Sequence, residues 1–158
     1  MDPVVEAAVV RSFVEPMKRP QYITRLGATK TRQKFMKGHL FHMRDLDPRY
    51  AHRIRPGEQN TEDVMRLLRE RGASDRCYVI SASSEYDGKE VELRIALDDV
   101  FGGRTDGTLI SCDPDRLGYF QGEEPGEGYI LFSRVRARCG SCGRVRRGFA
   151  CRCRRVRS

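Results

Sequence analysis

The last 25 residues of this chain, from Arg134 to Ser158, contain ten arginines, no lysine and no acidic residue, a charge of +10. A segment this charged and this poor in apolar side chains cannot bury a core of its own. Any globular fold must therefore come from residues 1–133, whose 20 basic and 22 acidic side chains give −2 within a whole-chain charge of +8. A body of about 130 residues is long enough to bury a core. The expected organisation is a globular body over 1–133 followed by an appendage over 134–158.

Charge also divides the body. Residues 1–56 hold 12 basic and 5 acidic side chains, and residues 57–133 hold 8 and 17. Two readings fit this division. One is a bipolar molecule with a side that seeks polyanions. The other is an acidic middle that neutralises the flanking segments, within one molecule or between two.

Apolar spacing predicts a helical first half. Val4, Val5, Ala8, Val9 and Phe13 recur at helical intervals behind Pro3, which a first helical turn tolerates. Pro16 and Pro20 are expected to end this helix and delay the next. A second helix is expected from Thr29 to Met43, with Phe35, Met36, Leu40 and Met43 inward and Lys30, Arg32, Lys34 and Lys37 in water. Asp47-Pro48 predicts a short helix from Pro48 to Arg53, and Asn60 or Thr61 caps a third main helix over Glu62–Arg71.

The second half turns to strands. Cys77–Ser81, Thr108–Cys112, Leu117–Gln121 and Tyr129–Val135 are β-rich and bounded by turn residues. Val91–Phe101 fits either period, and its helix formers and the following Gly102-Gly103 favour a helix. The fold class is α+β: a helical N-terminal half, then a small, mainly antiparallel sheet with one packed helix. No stretch approaches the roughly 20 apolar residues of a membrane span. Asp2 and Glu6 stand where a secretory signal would be basic and then apolar, so a cytoplasmic, reducing compartment is expected.

In such a compartment a cysteine cluster reads as metal-binding before it reads as a disulfide framework. Cys139, Cys142, Cys151 and Cys153 form Cys-x2-Cys-x8-Cys-x-Cys, with glycines after the first pair that permit a tight turn. Four thiolates suit tetrahedral zinc, although the single residue inside the second pair departs from the usual two to four. Free thiols and redox chemistry are the competing readings. Around the cysteines lie Arg134, Arg136, Arg138, Arg144, Arg146, Arg147, Arg152, Arg154, Arg155 and Arg157. Guanidinium binds phosphate through planar, bidentate hydrogen bonds, so arginine without lysine points to RNA or DNA as partner. A solubilising extension is the plainer alternative.

The body offers fewer candidates. His39, His42 and Asp45 are its one cluster of nitrogen and oxygen metal ligands, which would serve a small metal-dependent enzyme. The simpler and favoured reading makes Asp45 and Asp47 water-facing residues that close one helix and open the next. Glu85, Asp87, Glu90 and Glu92, with Lys89 and Arg94, gather about the Asp87-Gly88 turn in an order that does not match a nuclease strand. They read as a solvated turn leading into a helix. Cys77 and Cys112 read as small buried residues on strands. No phosphate-binding glycine loop is present.

Through Arg44-Asp-Leu-Asp-Pro-Arg-Tyr50, Tyr78-Val-Ile-Ser81 and Gly107-Thr-Leu-Ile-Ser-Cys112, the body resembles a family of small uncharacterised bacterial proteins. That resemblance implies a bacterial host and brings no activity, cofactor or partner with it. The sequence favours a non-enzymatic binding protein that reaches nucleic-acid phosphates through a zinc-stabilised tail. A metal-dependent enzyme and a protein-interaction adaptor docking through the acidic middle are the alternatives.

Overall fold

Alternation along five strands sorts their apolar side chains onto two faces, and helices cover both. The structure, a computed structural model, describes residues 1–39, 45–104, 107–122 and 126–133. The tail with its cysteines and arginines lies outside the described residues, as do Leu40, His42 and Met43.

Three helices come first: α1 (Pro3–Phe13), α2 (Arg19–Leu26) and α3 (Thr29–His39). The Asp2 carboxylate accepts from the Val4 and Val5 amides and caps α1, and Val9, Val10 and Phe13 turn inward. Pro20 does not delay the next helix. It sits in the first turn of α2, where a missing N–H costs nothing, and Tyr22 and Leu26 are buried behind it. The segment that sequence patterning left uncommitted is thus helical.

After the helices come β1 (Ala51–Arg53), α4 (Thr61–Arg69), β2 (Arg76–Ser81), β3 (Glu90–Glu92), α5 (Leu93–Asp99), β4 (Thr108–Asp113), β5 (Leu117–Gln121) and β6 (Gly128–Phe132). The six strands form one antiparallel sheet ordered β1-β6-β5-β4-β2-β3. This is an α+β fold, as expected. It carries α1–α3 on one face and α4 and α5 on the other, where the sequence suggested a single packed helix. Tyr78, Ile80, Leu109, Phe120 and Leu131 meet α1–α3. Cys77, Val79, Ile110, Tyr119 and Ile130 meet α4 and α5. The period-two pattern places neighbouring residues in opposite cores.

Two expectations need correction. The short helix from Pro48 to Arg53 is a turn followed by β1. Asp47 accepts from the Arg49 amide, Tyr50 closes the turn onto the Asp47 carbonyl, and Ala51 then pairs with Leu131. Sheet hydrogen bonds to β6 offer this chain more partners than one isolated helical turn. Val91–Phe101 divides between both of its periods. Glu90–Glu92 pairs with β2, α5 starts at Leu93, and a wide turn through Val100–Arg104 ends with Gly103 at φ 76°. Among the described residues no helix is long and apolar enough to cross a membrane.

Candidate nucleic-acid interface

From Lys18 to His39 the chain has seven lysines and arginines and no acidic residue. Folding turns one of these cations inward and leaves Arg25, Lys30, Lys34 and Lys37 exposed, while Lys18 and Arg19 are half-buried. Arg32 points inward with Phe35 and Met36, the i, i+3, i+4 face of α3. It is only 3% exposed, a correction to its expected place in water. Its Nη1 donates to Glu6 at 2.7 Å and to the Leu26 carbonyl, while Nε and Nη2 grip both oxygens of Asp87. Burial disfavours the guanidinium charge, but the hydrogen bonds from Asp87 and Glu6 outweigh it, and the pKa rises. Asp87 is therefore a structural counterion, not simply part of a solvated turn.

Lys30, Lys34 and Lys37 lie on the opposite side of α3, at i, i+4 and i+7, all exposed. Of the three, Lys34 joins exposed Arg25 of α2 in a cleft of about 430 Å3 lined by Gln21, Arg25, Thr31, Lys34, Phe35, Gly38 and His39. Among the described residues no carboxylate pairs with Arg25, Lys30, Lys34 or Lys37. The sequence signal for this surface was the lack of acids over 18–39, and Gln21, Arg25 and Thr31 become part of it only when α2 packs on α3.

His39 and Asp45 do come together. His39 Nδ1 lies 3.2 Å from Asp45 Oδ2, to which Tyr22 also donates at 3.0 Å, and Lys18 stands 3.6 Å from Oδ1. The imidazole rests against the Phe35 ring, with centroids 4.6 Å apart. Burial, then the Asp45 charge and hydrogen bond, push the Tyr22 phenol far above its ordinary pKa. Asp45 and Asp47 are buried, at 8% and 4% exposure, and so are not water-facing caps. The backbone explains this: Glu15 donates to the Asp45 carbonyl and Asp47 to that of Phe13, which pins the segment against the end of α1. Among the described residues no three His, Cys, Asp or Glu side chains are placed to hold a metal ion.

The acidic cluster near Asp87-Gly88 disperses into separate pairs. Glu90 binds Arg76 at 2.7 Å on the β3 edge, and Arg94 binds Glu62 at 2.7 Å. Within 57–133, Arg66, Arg69 and Arg116 likewise find acids of the same segment. Arg32–Asp87 is the one described ion pair that joins this segment to residues 1–56. Apart from that pair the acidic middle draws on its own arginines, and among the described residues none of its acids pairs with Arg25, Lys30, Lys34 or Lys37.

Cys77 is buried, which pushes its thiol up to about 12. Burial raises Cys112 as well, and among the described residues no histidine bonds to it. Comparison with protein-family models, curated proteins and solved structures gave no match to this chain.

Proposed function

We propose that this protein binds nucleic acid through phosphate contacts made by two basic elements, the α2–α3 face and the arginine-rich segment 134–158. In this reading Cys139, Cys142, Cys151 and Cys153 hold a structural zinc ion that fixes the spacing of the arginines around it. The observation that supports it best is that, among the described residues, no carboxylate pairs with the exposed Arg25, Lys30, Lys34 or Lys37 of the α2–α3 face, whereas Arg66, Arg69, Arg76, Arg94 and Arg116 are each matched to an acid. Exposed cations without counterions are what a polyanion displaces small ions to reach. Gln21 and Thr31 add side-chain groups able to hydrogen-bond phosphate oxygens.

The test is affinity of the full chain for a single-stranded RNA and a DNA duplex, measured by fluorescence anisotropy across a salt series. About five to eight phosphate contacts predict a log–log slope of about −4 to −7. A flat salt dependence refutes the reading. Elemental analysis of the purified full chain and of a chain ending at residue 135 tests the metal: zinc should accompany the former only.

One observation favours a second reading, in which the α2–α3 cleft acts on a phosphate ester. Asp45 fixes one nitrogen of His39, the arrangement that orients an imidazole for acid–base work. His39→Asn would abolish turnover and spare binding if this holds. Equal nuclease activity in the variant and its parent removes it.

A further inference from the structure

A second cleft, of about 470 Å3, opens at the β1–β6 edge and is lined by Arg49, Tyr50, His52, Arg71 and Phe132. Two aromatic residues, two arginines and a histidine line it without an acidic residue among them. We infer that this cleft receives an unstacked base of a single strand, with the flanking phosphates on Arg71 and His52. The inference rests on the nucleic-acid reading and narrows it to single-stranded segments.

The sheet builds the site. His52 pairs with Ile130 across β1 and β6, so His52, Ile130 and Phe132 share the face that α4 covers. Phe132 donates its amide to the Tyr50 carbonyl at 2.8 Å, which ties the two aromatic residues together through the backbone. Both residues are half-buried and therefore held, Phe132 against the α4–α5 core and Tyr50 against the α1–α3 core, and both contribute to the lining of the cleft. The Arg49 guanidinium sits 5.4 Å from the Tyr50 ring centroid and is anchored by Asp47 at 2.6 Å, so it stiffens the wall. Arg71 differs. Its Nη1 donates to the Leu67 carbonyl at 2.7 Å, and among the described residues no acid neutralises it. His52 is exposed and likewise without an acidic partner among the described residues.

Every base presents a π-face, so aromatic walls accept bases with little regard to sequence, and cations beside them hold the backbone. A duplex keeps its bases stacked, and rings set within a cleft cannot reach those faces. The volume lies in the range of small-ligand sites, which run to roughly 300–1,000 Å3. Connectivity adds a further argument. Arg134, the first residue of the ten-arginine segment, follows Phe132 by two positions, so the chain tethers that segment to the cleft.

The experiment uses the full chain with a labelled single strand, the matching duplex and a strand carrying a fluorescent adenine analogue. Wild-type protein should quench the analogue, and Phe132→Leu should abolish the quenching while circular dichroism shows the fold intact. Arg71→Gln, at a half-buried side chain outside both apolar cores, should weaken single-strand binding about ten-fold and duplex binding hardly at all. Equal losses for strand and duplex, or quenching that survives in Phe132→Leu, overturn the cleft and leave the parent reading standing. Wild-type protein that binds neither form overturns both. Competition by polyglutamate equal to that by the oligonucleotide assigns the cleft to acidic protein and also overturns the proposal.

Discussion

Arg32 donates a 2.7 Å hydrogen bond to Glu6 where water scarcely reaches either side chain, 3% and 5% exposed. The pair ties α3 to α1. Asp87 on the opposite side of the guanidinium extends the tie to the turn before β3, and Tyr78 donates to the second Glu6 oxygen at 2.9 Å. Removing the cation leaves two carboxylates without their partner. Arg32→Met should therefore destabilise the fold by about 3–5 kcal/mol. The double variant Glu6→Gln/Arg32→Met should lose less than the sum of its parts, because each single change strands the partner of the other. Urea unfolding of the four proteins measures this coupling, and additive losses would contradict it.

Gly118 tests how closely β5 approaches β4. A Cβ built there would stand 2.8 Å from the Ile110 carbonyl oxygen, a backbone atom that cannot swing aside. Gly118→Ala should cost about 1–3 kcal/mol through overpacking. Gly57 has open space around its Cβ position, so Gly57→Ala should lie within about 0.5 kcal/mol of wild type. A thermal melt of each variant decides the matter.

The elements legible in the sequence were those whose patterns are purely local. Asn60 does cap α4, and Leu117–Gln121 is β5 without adjustment. Local signals misled where long-range partners compete. Pro48–Arg53 carries a helix-start pattern, yet β6 offers β1 a row of hydrogen-bonding groups, and a pairing across some 80 positions leaves no trace in a short window. The same limit applies to the site. The cations over 18–39 were visible, but nothing in their sequence marks Arg32 as the buried one except its position on the Phe35–Met36 face of α3. Asp45 and Asp47 are hydrophilic by type and buried by partnership, and those partners, Tyr22, His39 and the backbone after Phe13, come from the tertiary fold.

Asp47 should contribute to acid sensitivity. Its carboxylate accepts from the Arg49 guanidinium and amide, and these bonds hold its pKa below the usual carboxylate value. A folded pKa below the unfolded one gives stability that is present above about pH 3.9 and is lost as pH falls through the folded value. Asp47→Asn should be less stable than wild type at neutral pH. The gap should close in acid below about pH 4, and a gap that stays constant across the acid range would show that the carboxylate charge contributes nothing.

Cys77 works in the opposite direction. Burial raises its folded pKa to about 12, against about 8.5 for a free thiol. Stability from keeping this thiol neutral is complete below about pH 8.5 and declines as pH climbs toward the folded value. Peptide mapping after alkylation near pH 8 should find Cys77 unmodified in the native protein and modified in denaturant. Modification at equal rates in both would place the thiol in water.

The α3 cations and the paired arginines make opposite predictions about salt. Lys30, Lys34 and Lys37 share one exposed face with no acid beside them among the described residues, so each phosphate they meet releases counterions. Changing all three to glutamine should make the log–log salt slope shallower by about 2–3 and weaken binding to every sequence alike. Arg94 already spends its charge on Glu62 at 2.7 Å, with 3.2 Å to the second oxygen. Arg94→Gln should therefore leave both slope and affinity unchanged. If the two variants shift the slope equally, binding follows net charge alone, and the α2–α3 face has no special part in it.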